Sequence, residues 1–247
     1  MKKLITTTIT ACALASPVAA ENNNYVRLGI GLLDYEDQSF ASSGIGQGGV
    51  RNEIRFSGYD PGRTPLIRLE IGRLLAPHWR AGLSVESTMA SSESDSVSAT
   101  SNGEPLGDDI DWRKKMDTDL LMANVYYHLW DSRTEGDFDP YVTAGLGIAL
   151  HNVSNIAFTE NVENVQRGFS DGNTAQLALR IGAGAAYWVT ERIQVDASVT
   201  YLDAGNVQFG SMLSNDDDDD FQIEALNNSF EADITAYELQ IGASYQF

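Results

Sequence analysis

The stretch Tyr237-Glu238-Leu239-Gln240-Ile241-Gly242-Ala243-Ser244-Tyr245-Gln246-Phe247 changes character at every step. Its odd positions carry Tyr, Leu, Ile, Ala, Tyr and Phe. Its even positions carry Glu, Gln, Gly, Ser and Gln. A β-strand turns successive side chains to opposite sides, so this is a strand with one apolar face and one small or polar face. The pattern fills about 234–247 and recurs at about 25–35, 65–75, 79–89, 119–129, 141–150, 175–188 and 193–202, eight strands in all. In 119–129 it is blurred by Leu120 and Met122, which fall on the polar face.

The connections alternate in length. Ala76-Pro77-His78, 131–140 and 189–192 are short to middling, whereas 36–64, 90–118, 151–174 and 203–233 are long and rich in Gly, Ser, Asn and Asp. Eight strands of about ten residues, joined by short turns on one side and long loops on the other, predict an all-β fold. It is an eight-stranded antiparallel up-and-down transmembrane β-barrel with short periplasmic turns and long extracellular loops. A soluble barrel would show the same alternation with its apolar face inward.

Three features orient the faces. The polar faces hold Gly29, Gly31, Gly72, Gly82, Gly145, Gly147, Gly182, Gly184 and Gly242. Glycine weakens a solvated strand, but it suits a narrow interior filled by a few large side chains. Those large chains are Arg27, Arg68, Arg80 and Arg180, sharing the face with Glu70, Glu86, Asp196 and Glu238. Charges withdrawn from water must be paired, and equal numbers allow it. Finally, aromatic residues favour strand ends. Trp79, Trp130, Tyr141, Tyr187, Trp188, Tyr245 and Phe247 lie toward the short turns, and Tyr35, Tyr201 and Tyr237 toward the long loops, as two interfacial girdles would require. The expected arrangement is apolar surface to lipid and an Arg/Glu network within.

The two ends agree with export. Met1-Lys2-Lys3, a modest apolar stretch, and then Ser16-Pro17-Val18-Ala19-Ala20 read as a signal peptide at 1–20, cut after Ala20, ahead of a barrel domain at 21–247. The cut removes the single cysteine, Cys12. Ile9-Thr10-Ala11-Cys12 also fits a lipoprotein site loosely, after a very short apolar run. With 35 acidic against 16 basic residues, the net charge is −19, which argues against a nucleic-acid partner. No later run is long and apolar enough for a transmembrane helix.

The closing strand 237–247 resembles the final strand of bacterial outer-membrane barrels, which end in Phe with an aromatic residue two positions earlier. The resemblance implies that Tyr245 and Phe247 form the signal read by the barrel-assembly machinery. Asp139-Pro140-Tyr141-Val142-Thr143-Ala144-Gly145-Leu146-Gly147 resembles the opening of the fifth strand of the OmpA-like β-barrel superfamily. The run 182–192, followed by Asp196, Tyr201, Asp203 and Gly205, is similar to that superfamily's hairpin of strands six and seven. The chain departs from the longer members of that superfamily in the expected lack of their peptidoglycan-binding domain, and no functional loop residue matches.

Three clusters carry residue types suited to chemistry. Asp216, Asp217, Asp218, Asp219 and Asp220 form an acidic run with Asp203, Glu224 and Glu231 nearby. Carboxylates attract Ca²⁺ or Mg²⁺, which would bridge the loop to lipopolysaccharide phosphates. The run lacks the spaced ligands of a built site, so a solvated charge run with weak binding is expected. His151, Ser154 and Glu160 hold the residue types of a lipid A hydrolase, but lie in an expected loop with no oxyanion signature. His78 falls in a turn and His128 inside the fourth strand, neither with a second ligand at metal spacing.

The expectation is therefore a non-enzymatic outer-membrane barrel with no catalytic residue and no cofactor beyond weak divalent cations. Its interior is plugged by Arg/Glu pairs. Its partners are outer-membrane lipids, lipopolysaccharide, the assembly machinery and an extracellular partner at the loops. A narrow passive channel for small solutes is the alternative, and a lipid A-modifying hydrolase ranks behind it.

Overall fold

The computed structural model describes residues 23–45, 51–89, 91–105, 110–130, 133–160, 165–169, 171–209, 212–213 and 229–247. The expected export segment 1–20, with Cys12, and the acidic run 216–220 lie outside the described residues. So does Glu224.

In chain order the strands are β1 (Asn24–Tyr35), β2 (Gln38–Ile45), β3 (Arg51–Tyr59), β4 (Arg63–Ala76), β5 (Trp79–Thr88), β6 (Ser91–Ser101) and β7 (Glu104–Pro105). They continue as β8 (Ile110–His128), β9 (Phe138–Glu160), β10 (Val165–Phe169), β11 (Gly172–Trp188), β12 (Ile193–Phe209), β13 (Met212–Leu213) and β14 (Phe230–Gln246). Eight of them close a cylinder. β1 pairs with β4, then the order runs β5, β8, β9, β11, β12 and β14, each antiparallel to its neighbour, and β14 returns to β1. Closure leaves these eight strands without an edge, the condition for crossing a bilayer with strands.

The start of β1 and the end of β14 meet at the seam. Asn24 N donates to Phe247 O, and Phe247 N to Asn24 O. The short turns lie on this same side, which is the periplasmic one.

The outward faces are the apolar ones, with Ile30, Leu177, Ile181 and Ile241 each more than 60% exposed. The inward faces are buried. On β14 the exterior reads Tyr237, Leu239, Ile241, Ala243, Tyr245 and Phe247. That is about eleven residues of lipid-facing strand, or roughly 24 Å at a tilt near 45°. Trp79 against Tyr127, Trp130 against Phe138, and Tyr245 against Phe247 form the lower aromatic girdle, and Tyr201 against Tyr237 belongs to the upper one. Three expected girdle members differ. Tyr35, Tyr141 and Trp188 are buried inside the barrel because they sit on the inward parity of their strands.

The expected long loops are a second correction, for they carry extended structure. The stretch 36–64 holds β2 and β3, and 90–118 holds β6, β7 and the start of β8. The stretch 151–174 contains the end of β9 and β10, and 203–233 contains the end of β12, β13 and the start of β14. β3 pairs with β2 and β6, β6 pairs with β8, and a single bridge, Ala41 to Glu231, joins β2 to β14. The wall thus continues past the membrane as a stalk. Gly205, at φ +74, takes the left-handed backbone where the β12–β14 register shifts between Asp203 and Asn206, letting β12 continue upward after an extra residue.

Candidate functional site

A barrel of eight strands leaves an interior just wide enough for side chains to fill, so the lumen is the site whose contents decide function. Its lower part is polar. Arg27 on β1 reaches across to Asp196 on β12 with a two-pronged contact, Nε to Oδ1 at 2.9 Å and Nη2 to Oδ2 at 2.6 Å. Arg180 on β11 holds Glu86 on β5 in the same way, at 2.7 and 2.6 Å, and its Nε lies 2.8 Å from Glu238. Arg68 donates through Nη2 to Tyr126 Oη at 2.8 Å, pairs with Glu70, and approaches Glu86 at 3.5 Å.

The remaining lone pairs are taken by neutral donors. Tyr25 and Tyr126 hydroxyls donate to Glu70, Ser84 to Glu86, Tyr141 to Asp196, and Thr200 and Gln240 to Glu238. A buried charge is tolerable only when paired and hydrogen-bonded. Here each carboxylate meets both conditions.

Arg80 departs from the expected pairing. Among the described residues it makes no ion pair. Its Nη1 donates to Gln194 Oε1 at 3.0 Å, and its charge lies over three tyrosine rings, with centroids 4.8 Å (Tyr25), 4.4 Å (Tyr126) and 5.9 Å (Tyr141) away. Cation–π contact replaces the carboxylate. The residue pattern shows the four arginines and four acids but not the tyrosines, which read as girdle residues or ordinary apolar ones.

Glycine makes room for these side chains. A Cβ at Gly82 would lie 2.5 Å from the Tyr25 hydroxyl, and one at Gly242 would lie 2.7 Å from Arg27 Nε.

Above the charges the lumen is mainly apolar, with the buried Thr64, Thr88, Thr118 and His151 among the apolar side chains. Leu33, Leu66, Leu120, Met122, Ala149, Ala178, Leu202 and Ala236, drawn from seven of the eight barrel strands, belong to one buried cluster. The cluster continues into the stalk through Phe40, Ile54, Phe56, Tyr59, Val97, Val207 and Phe230. Leu120 and Met122, the residues that blur the fourth strand's alternation, are part of this layer.

The remaining candidates fall apart as chemistry. His151 is on β9, not in a loop, and its buried ring contacts Thr118 Oγ1 at 2.9 Å and Ala204 O at 2.8 Å. Ser154 has the opposite parity on the same strand and so points to the other face, out of reach of His151. Glu160 ends β9. His128 lies inside, with Nδ1 2.7 Å from Asp139 Oδ2, and His78 Nδ1 lies 2.9 Å from His128 O. Among the described residues no group of three His, Cys, Asp or Glu side chains is placed to hold a metal ion. Tyr245 and Phe247 both point outward and stack at 6.4 Å.

Comparison with known proteins agrees with this architecture. Residues 4–247 match the model of the family described as outer membrane protein beta-barrel domain. The chain is 30% identical over 200 residues to outer membrane protein PagN of Salmonella typhimurium, covering 78% of this chain and 73% of that protein. Among solved structures, OprG of Pseudomonas aeruginosa superposes over 91% of this chain and 96% of its own, at 17% identity and a TM-score of 0.49. The N-terminal β-barrel domain of OprF from the same organism covers 91% and 98%, at 16% identity and a TM-score of 0.45.

Proposed function

From the premise that this chain belongs to the outer membrane protein β-barrel family of Gram-negative bacteria, we propose that it is a closed, non-enzymatic surface protein. Its barrel anchors a β-structured stalk that meets partners outside the cell. The observation that carries this reading is the doubly filled lumen. Paired charges occupy its lower part and a continuous apolar cluster occupies the part above. Water and ions would have to cross both layers, and the packed, mainly apolar upper layer offers them few hydrogen bonds.

Planar-bilayer recording of the refolded protein tests this directly. The expected record is flat, and stable unitary conductance would restore the narrow-channel alternative. The hydrolase alternative is disfavoured by the opposed faces of His151 and Ser154. Lipid A of unchanged mass after incubation with the refolded barrel is the expected result, and a loss of acyl chains would reinstate it.

In the same reading, residues 1–20 are removed on export, and Tyr245 and Phe247 present the assembly signal. Lipopolysaccharide surrounds the upper girdle, and the acidic run 216–220 takes Ca²⁺ or Mg²⁺ only weakly, toward the millimolar end. A melting temperature that rises with millimolar Ca²⁺, and no longer does so when those five Asp are replaced by Asn, is the expected signature of that binding. An unchanged melting temperature removes it.

A further inference from the structure

The lipid-facing surface carries one exception to its apolar rule. Between the upper girdle and the last outward apolar residue of each barrel strand, the outward positions hold a single charged side chain, Arg73 on β4. Its neighbours along the same face are Ile71 and Leu75, 61% and 64% exposed. The apolar wall therefore continues past Arg73 toward the periplasmic end as well as toward the bilayer centre.

No protein anion answers this charge. The outward residues of β1 in the membrane are Asn24, Val26, Leu28, Ile30 and Leu32, and those of β5 are Trp79, Ala81, Leu83 and Val85. The acids of β4 and β5, Glu70 and Glu86, are buried in the lumen. A charge facing hydrocarbon is costly, and the cost falls as the group nears the interface, where a long stem can carry its head outward. Leu75, the next outward residue, lies about 5 Å further along the membrane normal at a tilt near 45°. The Arg73 stem spans such a distance, so its guanidinium belongs at the level of the lipid phosphates.

The surroundings suit a phosphate there. Asn24 on β1 and Ala81 on β5 stand directly across from Arg73 in the ladder. Ala81 leaves the surface low on one side, and Asn24 brings a carboxamide to the same face on the other. Trp79, two residues below Ala81 and 46% exposed, adds an indole to the lower girdle beside them. A guanidinium takes phosphate oxygens two-pronged. The short turns place this site in the periplasmic leaflet, away from the lipopolysaccharide side. With no acid on these outward faces, the ammonium of a zwitterionic head group would go unanswered next to a cation. We propose that Arg73, with Asn24 and Trp79 beside it, is a binding site for the head group of an anionic glycerophospholipid in the periplasmic leaflet.

The test is native mass spectrometry of the refolded barrel in non-ionic detergent, titrated with phosphatidylglycerol, phosphatidylcholine or inorganic phosphate. One phosphatidylglycerol should be retained saturably, in preference to phosphatidylcholine. Arg73→Gln should weaken phosphatidylglycerol roughly tenfold and remove the preference, whereas Arg73→Lys should weaken it less. Arg192→Gln, in the exposed turn at the same end of the barrel, should leave it unchanged. Equal retention of the two lipids by the parent protein overturns the proposal whether or not the variants fold. An equal loss in the Arg73→Gln and Arg192→Gln variants overturns it in favour of general charge attraction. Displacement of phosphatidylglycerol by an equal concentration of inorganic phosphate overturns it in favour of a free-anion site.

Discussion

Below Ala236, β14 is apolar outside and polar inside, with Tyr237, Leu239 and Ile241 against Glu238, Gln240 and Gly242. Above it the same strand is polar outside and apolar inside, with Glu231, Asp233 and Thr235 against Phe230, Ala232, Ile234 and Ala236. No break in the strand marks the exchange. β1 makes it between Leu32 and Asp34 outside and between Gly31 and Leu33 inside; β12 makes it around Tyr201 and Leu202; and β8 around Leu121 and Leu120. The two regions share one wall and differ only in what surrounds it. In lipid the exterior must be apolar and the interior takes the polar groups. In water the assignment reverses, and burying apolar area stabilises the stalk as it does any soluble domain. The exchange therefore marks the outer surface of the hydrocarbon layer, residue by residue.

The comparison makes the two cores differently vulnerable. Arg180→Ala should have the largest effect, because it leaves Glu86 and Glu238 buried without their main cation. Removing one partner of a buried pair costs about 3–5 kcal/mol, read as a lower temperature for the heat-dependent shift in gel mobility. If that temperature stays at its wild-type value, the lower network is not what holds the barrel.

Phe56→Ala should cost about 3 kcal/mol by opening the stalk core, where its ring meets Phe230 at 5.8 Å. The loss should be local. External protease should cut β3 and β6 faster while the lower barrel keeps its mobility shift, and simultaneous loss of both would make the two cores one cooperative unit.

Arginine at outward positions of β14 should sharpen the boundary with a smaller effect. Leu239→Arg meets lipid and should cost about 2 kcal/mol, whereas Asp233→Arg meets water and should stay within about 0.5 kcal/mol. Equal costs in refolding titrations would erase the distinction.

The lower region is legible in the sequence almost entirely, and the upper is not, for one physical reason. Alternation shows as a run of apolar residues of one parity, and at the membrane surface the apolar parity changes. Asp203 therefore reads as the start of a loop and Asp119 as the limit of a strand, when each is a water-facing residue of a strand that continues into the stalk. Leu120 and Met122 read as noise for the same reason, being the first inward apolar residues on β8. Ser, Asn and Asp on the outer face of the stalk reinforce the impression of loop. The charge network is readable because its four cations and four anions all fall on the glycine-bearing parity, where a lipid-facing charge would be prohibitive and a paired interior one is not. Its tyrosines are not, since an aromatic near a strand end fits a girdle as well as a lumen, and only the parity of Tyr141 and Trp188 tells them apart. Nothing in the order of residues says that Arg80 meets rings in place of an acid, because that choice depends on how strands far apart in sequence are staggered.

Site-directed spin labelling along β14 tests the central claim most directly, because the chain's single cysteine, Cys12, lies outside the barrel strands, in the stretch expected to be removed on export. Labels at the outward positions 241, 239 and 237 should be reached by oxygen dissolved in the bilayer. Labels at 235, 233 and 231 should be reached by a water-soluble nickel reagent, with the change falling between Tyr237 and Thr235. Lipid exposure that continues without change through position 231, or water exposure that begins below position 239, would contradict the account.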